Sequence, residues 1–260
     1  MNRQLPLEDF FRISERTGYQ LSPDGTYISY MAPYKERLNI FVRRVTDTDE
    51  QATRITHETQ RSVAGYMWAD NERLLFIKDT AGDENYQLYG VRRDGSDERA
   101  YTAFEGVRTS IIDELEEQKG YILIGMNRRI REIFDPYRLN IETGELTLLA
   151  ENPGNIQSWM TDHDGRLRVA TAIVDGVNTQ ILYRDTEDEE FRPVLTTNFR
   201  DSVCFIGFTP NNREVYAITN LNRDKNALVR MNPATCEELE LLYENDRYDI
   251  SSIVYSRKRK

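Results

Sequence analysis

The stretch GYQLSPDGTYISYMAP, residues 18–33, reads as a β-hairpin. Before the polar turn Ser22-Pro23-Asp24-Gly25 lies a short strand-like run, and after it Tyr27, Ser29 and Met31 alternate with Ile28, Tyr30 and Ala32. A period of two is the pattern of a strand, while Asp and Gly supply the side-chain hydrogen bonds and positive φ that a tight turn requires.

The hairpin recurs along the chain. Its turn aligns with YMWADNERLLFI, IDELEEQKGYILI, MTDHDGRLRVATA, GFTPNNREVYAIT and IVYSRKRK, so that Ser22 is matched by Trp68, Leu115, Asp162, Thr209 and Tyr255 at intervals of 46, 47, 47, 47 and 46 residues. Each unit continues with a polar loop and a third apolar stretch (LNIFVRRV, YQLYGVRR, PYRLNI, TQILYRD, NALVRM). A second turn (TDTDE, RDGSD, ETGEL, TEDEE, ATCEEL) and a short fourth strand (ATRIT, RAYT, TLLA, RPVLT, LELLY) complete it. Four short strands per period, with no helical periodicity between them, specify an all-β chain of β-propeller blades rather than a solenoid. The complete repeats run over 19–57, 62–104, 107–151, 156–200 and 202–246, preceded by a lead-in segment, 1–18. A sixth unit opens at 250–260 with a single strand expected over 250–256, which suggests a truncated propeller, or a last strand that completes another sheet. Helix is expected only in LPLEDFFR, residues 5–12, where an early Pro and acidic residues suit a first turn, or in short turns.

Composition narrows the function. With 34 Lys and Arg against 44 Asp and Glu the net charge is −10, which argues against a nucleic-acid backbone or an anionic membrane as partner. No apolar run approaches the roughly 18 residues of a membrane span, and the N-terminus has no apolar signal-peptide core. Cys204 and Cys236 show no metal spacing and fit a reducing, cytoplasmic setting. Cys236, in the turn position that Gly144 holds in its own repeat, reads as a thiol near the surface, and Cys204 in SVCFIGF as an inner-strand core residue.

The segments LPLEDFFRISERTGYQLSPDGTYISYMAP, DTAGDENYQLYGVRRDG, MNRRIREIFDPYRLNIETGEL, ENPGNIQSWMTDHDGRLRVA, TNLNRDKNALVRMNPAT and ENDRYDISSIVYS together resemble the propeller half of the prolyl oligopeptidase family of serine peptidases, nearest its acylaminoacyl-peptidase-like branch. The resemblance spans essentially the whole chain, and the order and wording of the loops carry it. The SPDG-type turns alone occur in TolB-like propellers too. In that family a propeller, usually of seven or eight blades, precedes an α/β-hydrolase domain with a Ser-Asp-His triad. The resemblance therefore implies a peptidase parent, a catalytic domain of the same protein as partner, and peptide substrates to which the propeller restricts access. This sequence holds no Gly-x-Ser-x-Gly nucleophile elbow, so no catalytic residue is expected in it.

Three loops between second and third strands are the candidate binding elements: 82–86, 127–135 and 222–226. Repeat geometry sends all three to one face, and Glu84, Arg129, Arg131, Arg223 and Asp224 are the residues suited to meet a docked domain or peptide termini, Arg favouring bidentate carboxylate contacts. The alternative reading is a loop-capping ion-pair network. His57 and His163 both fall at turns and read as solvent-exposed, with no nucleophile motif beside either. The acidic runs DTDE, DELEEQ and DTEDEE lack the spacing of a calcium loop and read as solvated, so neither metal nor cofactor is expected. Two further functions remain in play: a free-standing TolB-like interaction module, and a channel-sited propeller enzyme, disfavoured by the largely neutral first strands. A chain ending after five blades leaves apolar blade faces uncovered, from which self-association through the open side is expected.

Overall fold

The computed structural model describes residues 6–7 and 15–255. The first sheet comprises β1 (Thr17–Leu21), β2 (Tyr27–Tyr34), β3 (Arg37–Arg44) and β4 (Thr53–Arg54), and the second β5 (Gly65–Trp68), β6 (Arg73–Lys78), β7 (Gln87–Arg92) and β8 (Arg99–Ala100). Three more follow: β9 (Thr109–Asp113), β10 (Tyr121–Ile130), β11 (Ile133–Asn140) and β12 (Leu146–Leu148); β13 (Ile156–Thr161), β14 (Leu167–Val174), β15 (Asn178–Tyr183) and β16 (Arg192–Thr197); β17 (Val203–Phe208), β18 (Val215–Thr219), β19 (Ala227–Met231) and β20 (Glu238–Tyr243). Every sheet is an antiparallel meander in which each strand pairs with its neighbour in sequence. These are five blades of a β-propeller, in the order and phase of the sequence repeat. The chain divides into two compact units, 1–109 and 110–260.

The turns explain the phase. In the first, Asp24 Oδ1 accepts from Ser22 Oγ (2.6 Å) and from the Thr26 amide (2.9 Å). Asp70, Asp162 and Asn211 cap the equivalent turns by accepting backbone amides two to four residues ahead. These short side chains reproduce locally the hydrogen bonds that the ladder loses where the chain reverses.

In the first unit Ile40, Val42 and Ile55 of one blade pack with Trp68, Leu74, Phe76 and Val91 of the next. A small polar joint crosses the same seam. Fully buried Ser29 receives the Trp68 indole N–H at 2.8 Å and lies 3.0 Å from the Tyr66 hydroxyl, whose pKa burial pushes up to about 12. In the second unit, Val169, Ile181 and Tyr183 of the fourth sheet share a core with Phe208, Val215, Ala217, Val229 and Met231 of the fifth.

Contacts between blades also follow the repeat. In the first unit Gln20 Nε2 donates to the Tyr66 carbonyl, 46 residues on, and the Asp24 amide to Asn71 Oδ1, 47 on. In the second, Thr161 donates to Asp113 (48 apart), and the His163 amide to Asn212 Oδ1 and Arg138 to Glu187 (49 each). Within each unit, neighbouring blades are stitched together about one repeat apart.

Several expectations are corrected. Residues 127–135 are mostly strand rather than loop, because β10 and β11 extend to a tight turn with an irregular register between Met126 and Ile130. Residues 250–255 form no strand, since no second strand supplies a ladder there among the described residues. Instead, the Ile250 amide donates to the Asn226 carbonyl (3.0 Å) and the Asn226 amide to Asp249 Oδ1 (2.7 Å). Residues 256–260, the rest of the expected sixth unit, lie outside the described residues, as does the expected helix at 5–12 apart from Pro6 and Leu7. Beyond Leu7, the helical structure of the described residues is the 3-10 turn Asp49–Gln51, which lies inside the first repeat between β3 and β4.

The cysteines exchange the places expected of them. Cys236 takes the left-handed turn conformation (φ 56°) that Gly144 (φ 77°) takes in its repeat, but its side chain turns under the fifth sheet and is buried with Met231 and Val215. Burial disfavours the thiolate and pushes this thiol up to about 11. Cys204 is exposed, on the opposite pleat face of β17 from buried Val203. Ellman's reagent should therefore titrate one thiol in the native chain and two in denaturant, and Cys204→Ser should abolish the native reaction. Rapid reaction of both native thiols would contradict the buried turn.

Candidate functional site

The five sequence-selected residues fall in three places. Glu84, exposed in the loop after β6, adopts a left-handed backbone (φ 58°) and donates its amide to Asp79 Oδ2 at 3.3 Å. Asp79 also holds Arg61 at 2.7 and 2.9 Å, and that guanidinium keeps the carboxyl below the usual range. Arg129 forks onto Asp135, both bonds 2.9 Å, and donates to the Asn152 carbonyl at 2.8 Å. Its guanidinium is raised, chiefly by the hydrogen bond to Asp135. Arg131 is exposed at the tip of the same hairpin, and its carbonyl accepts from Asn127 Nδ2 at 2.7 Å. Arg223 pairs with Glu238 at 2.6 Å, while Asp224 is exposed, with Lys225 at 3.1 Å. Thus Arg129 and Arg223 spend their charge inside their own blades, and Glu84, Arg131 and Asp224 present theirs to solvent.

A different feature was hidden in the sequence. Within the second unit a cavity of about 350 Å³ is bounded by β9, β13 and β17 and by Ile253 and Tyr255 of the terminal segment. Its polar lining includes Asp113 at the end of β9, Thr161 at the end of β13, and Asp162 and His163 in the turn beyond; Asp113 accepts from the Thr161 hydroxyl and from the Leu115 amide (2.8 Å). His163, expected at the surface, is buried. Its amide donates to Asn212 Oδ1 (2.9 Å), and its Nε2 meets the Phe208 carbonyl at 2.9 Å, which draws the ring inward against the fifth sheet.

The turn is fixed from beneath by Arg168, which lies 4.9 Å from the Phe208 ring centre, 2.9 Å from the Asn212 carbonyl and 3.4 Å from Asp162. Arg168 also donates to the Tyr183 hydroxyl, whose pKa burial raises. No residue here is poised as a nucleophile beside a base: the Nε2 of His163 is committed to a backbone carbonyl. The arrangement is suited to binding. Sequence reading found none of it, because the only signal, a His in an Asp-Gly turn, is also that of a solvated turn. Among the described residues, no cluster of three potential metal ligands occurs.

No family model matches the chain. It is 28% identical over 244 residues to dipeptidyl aminopeptidase BIII of Pseudoxanthomonas mexicana, covering 91% of this chain and 34% of that protein. Over 273 aligned positions it is 25% identical to dipeptidyl peptidase family member 6 of Caenorhabditis elegans, covering 96% and 36%. The chain thus spans about a third of the length of the curated relatives it matches. Among solved structures a prolyl endopeptidase superposes with a TM-score of 0.60 at 11% identity, over 87% of this chain and 34% of that one, a likeness of fold alone. No helix among the described residues is long and apolar enough to cross a membrane. In sequence and in the order of its blades, the chain resembles the propeller part of the prolyl oligopeptidase family of peptidases.

Proposed function

We propose that the chain is the non-catalytic, substrate-gating propeller of a peptidase that acts on short or acylaminoacyl peptides, its chemistry residing in an α/β-hydrolase domain of the same protein. The observation that carries this reading is a match over nine-tenths of the chain to proteins named dipeptidyl peptidases, of which it covers a third. The sequence supports it by holding no nucleophile elbow. Glu84, Arg129, Arg131, Arg223 and Asp224 are proposed to meet the catalytic domain or the peptide termini. Unpaired Cys204 and Cys236 suit a cytoplasmic setting.

The purified chain is expected neither to hydrolyse dipeptidyl 4-nitroanilides nor to be labelled by fluorophosphonates. In the whole protein, Arg131→Ala with Asp224→Ala should raise KM for short peptides while leaving kcat within about twofold, the pattern of lost uniform binding. Stoichiometric labelling of one serine in this chain would overturn the reading, and so would unchanged KM in the double variant for these residues.

The chain alone is also proposed to self-associate through its fifth sheet. That sheet exposes Cys204 and Ile206 on β17, and β20, which among the described residues pairs only with β19, shows Leu239, Leu241, Leu242 and Tyr243 partly to solvent. Light scattering should give a mass that rises with concentration and falls when Leu241→Lys is introduced. A strictly monomeric wild-type chain would rule this out.

A further inference from the structure

In the first unit a cavity of about 320 Å³ is walled by Arg37, Arg61, Ser62, Ala64, Asp79 and Tyr86. Arg37 opens β3, Arg61 lies in the link from β4 to β5, and Asp79 and Tyr86 flank the loop between β6 and β7, so the two guanidinium groups reach one space from separate segments. Each has donors to spare. Arg61 gives Nε and Nη2 to Asp79 at 2.7 and 2.9 Å, while Arg37 gives Nε to the Gln60 carbonyl and Nη1 to the Glu36 carbonyl, both at 2.9 Å. Those bonds leave Nη1 of Arg61 and Nη2 of Arg37 for a guest. Both side chains are open to one, Arg61 being 42% exposed and Arg37 half-buried. Half-buried Tyr86 adds a hydroxyl and the flat face of its ring.

The acid in the wall does not cancel this. Asp79 is 2% exposed, and its oxygens already accept from Arg61 and from the Glu84 amide. Asp83, whose charge also acts on Arg61, is turned into its own loop and accepts from the Thr80 and Asn85 amides. Among the residues of the wall two Arg stand against one Asp, a balance of 2 − 1 = +1. One net positive charge carried on guanidinium edges suits a planar monoanion, since guanidinium and carboxylate pair edge to edge, whereas a phosphate dianion would keep half its charge uncompensated. We propose that this pocket binds a carboxylate, at the C-terminus of a short peptide or on a small organic acid, with its oxygens on Arg37 and Arg61 and its adjoining carbons against Ala64 and the Tyr86 ring. The site contains no catalytic group and does not rest on the peptidase reading.

N-acetylalanine and its amide differ only in the charge at issue, and propionate separates a simple acid from a peptide end. Titrated into the purified chain at low, fixed ionic strength and followed by calorimetry, N-acetylalanine is expected to bind about tenfold or more tighter than the amide. The side-chain Nε–H signals of Arg37 and Arg61 in ¹⁵N-arginine-labelled protein should move with the acids and stay still with the amide. Tighter binding of N-acetylalanine than of propionate identifies a peptide end as the ligand, and equal binding a simple acid. Arg37→Gln, which gives up bonds to two surface carbonyls and leaves the Arg61–Asp79 fork in place, should weaken binding of the acids about tenfold; the arginine signals of the unaltered chain decide the matter if that variant does not fold. Equal affinity for acid and amide, unmoved arginine signals, full binding by a folded Arg37→Gln, or inorganic phosphate binding tighter than either acid would each overturn the proposal. Because hydrolysis is never read, such a failure leaves the peptidase reading to its own test.

Discussion

Replacing Asp135 with alanine is expected to lower the unfolding free energy by about 3–5 kcal/mol, the range for removing one partner of a buried ion pair. The carboxylate is inaccessible to solvent and accepts three hydrogen bonds, two from Arg129 and one, at 2.7 Å, from the Asn152 amide. Without it the Asn152 amide is stranded inside the blade, and the Arg129 guanidinium, itself 31% exposed, loses its fork and swings toward water. That escape places the loss toward the lower end of the range. Urea unfolding of Asp135→Ala and Arg129→Ala measures it. A loss below about 1 kcal/mol would mean that the pair behaves as an exposed surface bridge.

The second large effect lies in the first unit. Phe76 is 1% exposed, faces Tyr66 across the β5–β6 ladder, and stacks on Tyr89 at 5.4 Å. Phe76→Ala is expected to cost about 3–5 kcal/mol, as large-to-small changes of buried aromatics do, because the strands around it are held by their ladders and close the cavity only in part. Phe76→Leu, which keeps most of the volume, should cost less than about 1.5 kcal/mol. The dependence on urea should keep its slope in both variants. Equal, small losses would show that this seam repacks freely.

The sequence made the blades legible because turn chemistry recurs with a spacing of 46–47 residues along the chain. Asp24, Asp70, Asp162 and Asn211 cap four of the turns, and one four-stranded sheet falls at each expected repeat, the first beginning at Thr17, two residues before its expected start. The direction of individual side chains was harder to read. VCFIGF, residues 203–208, has no polar residue, so periodicity could not say which pleat face Cys204 would occupy. Cys236 sits where its backbone was expected, yet its thiol turns inward. His163 looked like any polar turn residue, and what buries it is the Phe208 carbonyl 45 residues away, which local pattern cannot contain. The exposed charges of the loops were readable one by one. Their internal partners were not, because Asp135 and Glu238 had no distinguishing signal in the sequence.

The stitches that join neighbouring blades within each unit, 46–49 residues apart, also bear on how the protein is made. A ribosome delivers one such period in about 2–10 s at ordinary elongation rates. When a blade emerges, the groups it must bond to on the preceding blade have already been synthesised, and it waits for nothing further downstream. The loop to be closed therefore stays at one period however many blades precede it, and its entropic cost does not grow along the chain. Synthesis and folding can thus advance at the same pace, with one unpaired blade face at a time left for chaperones to shield.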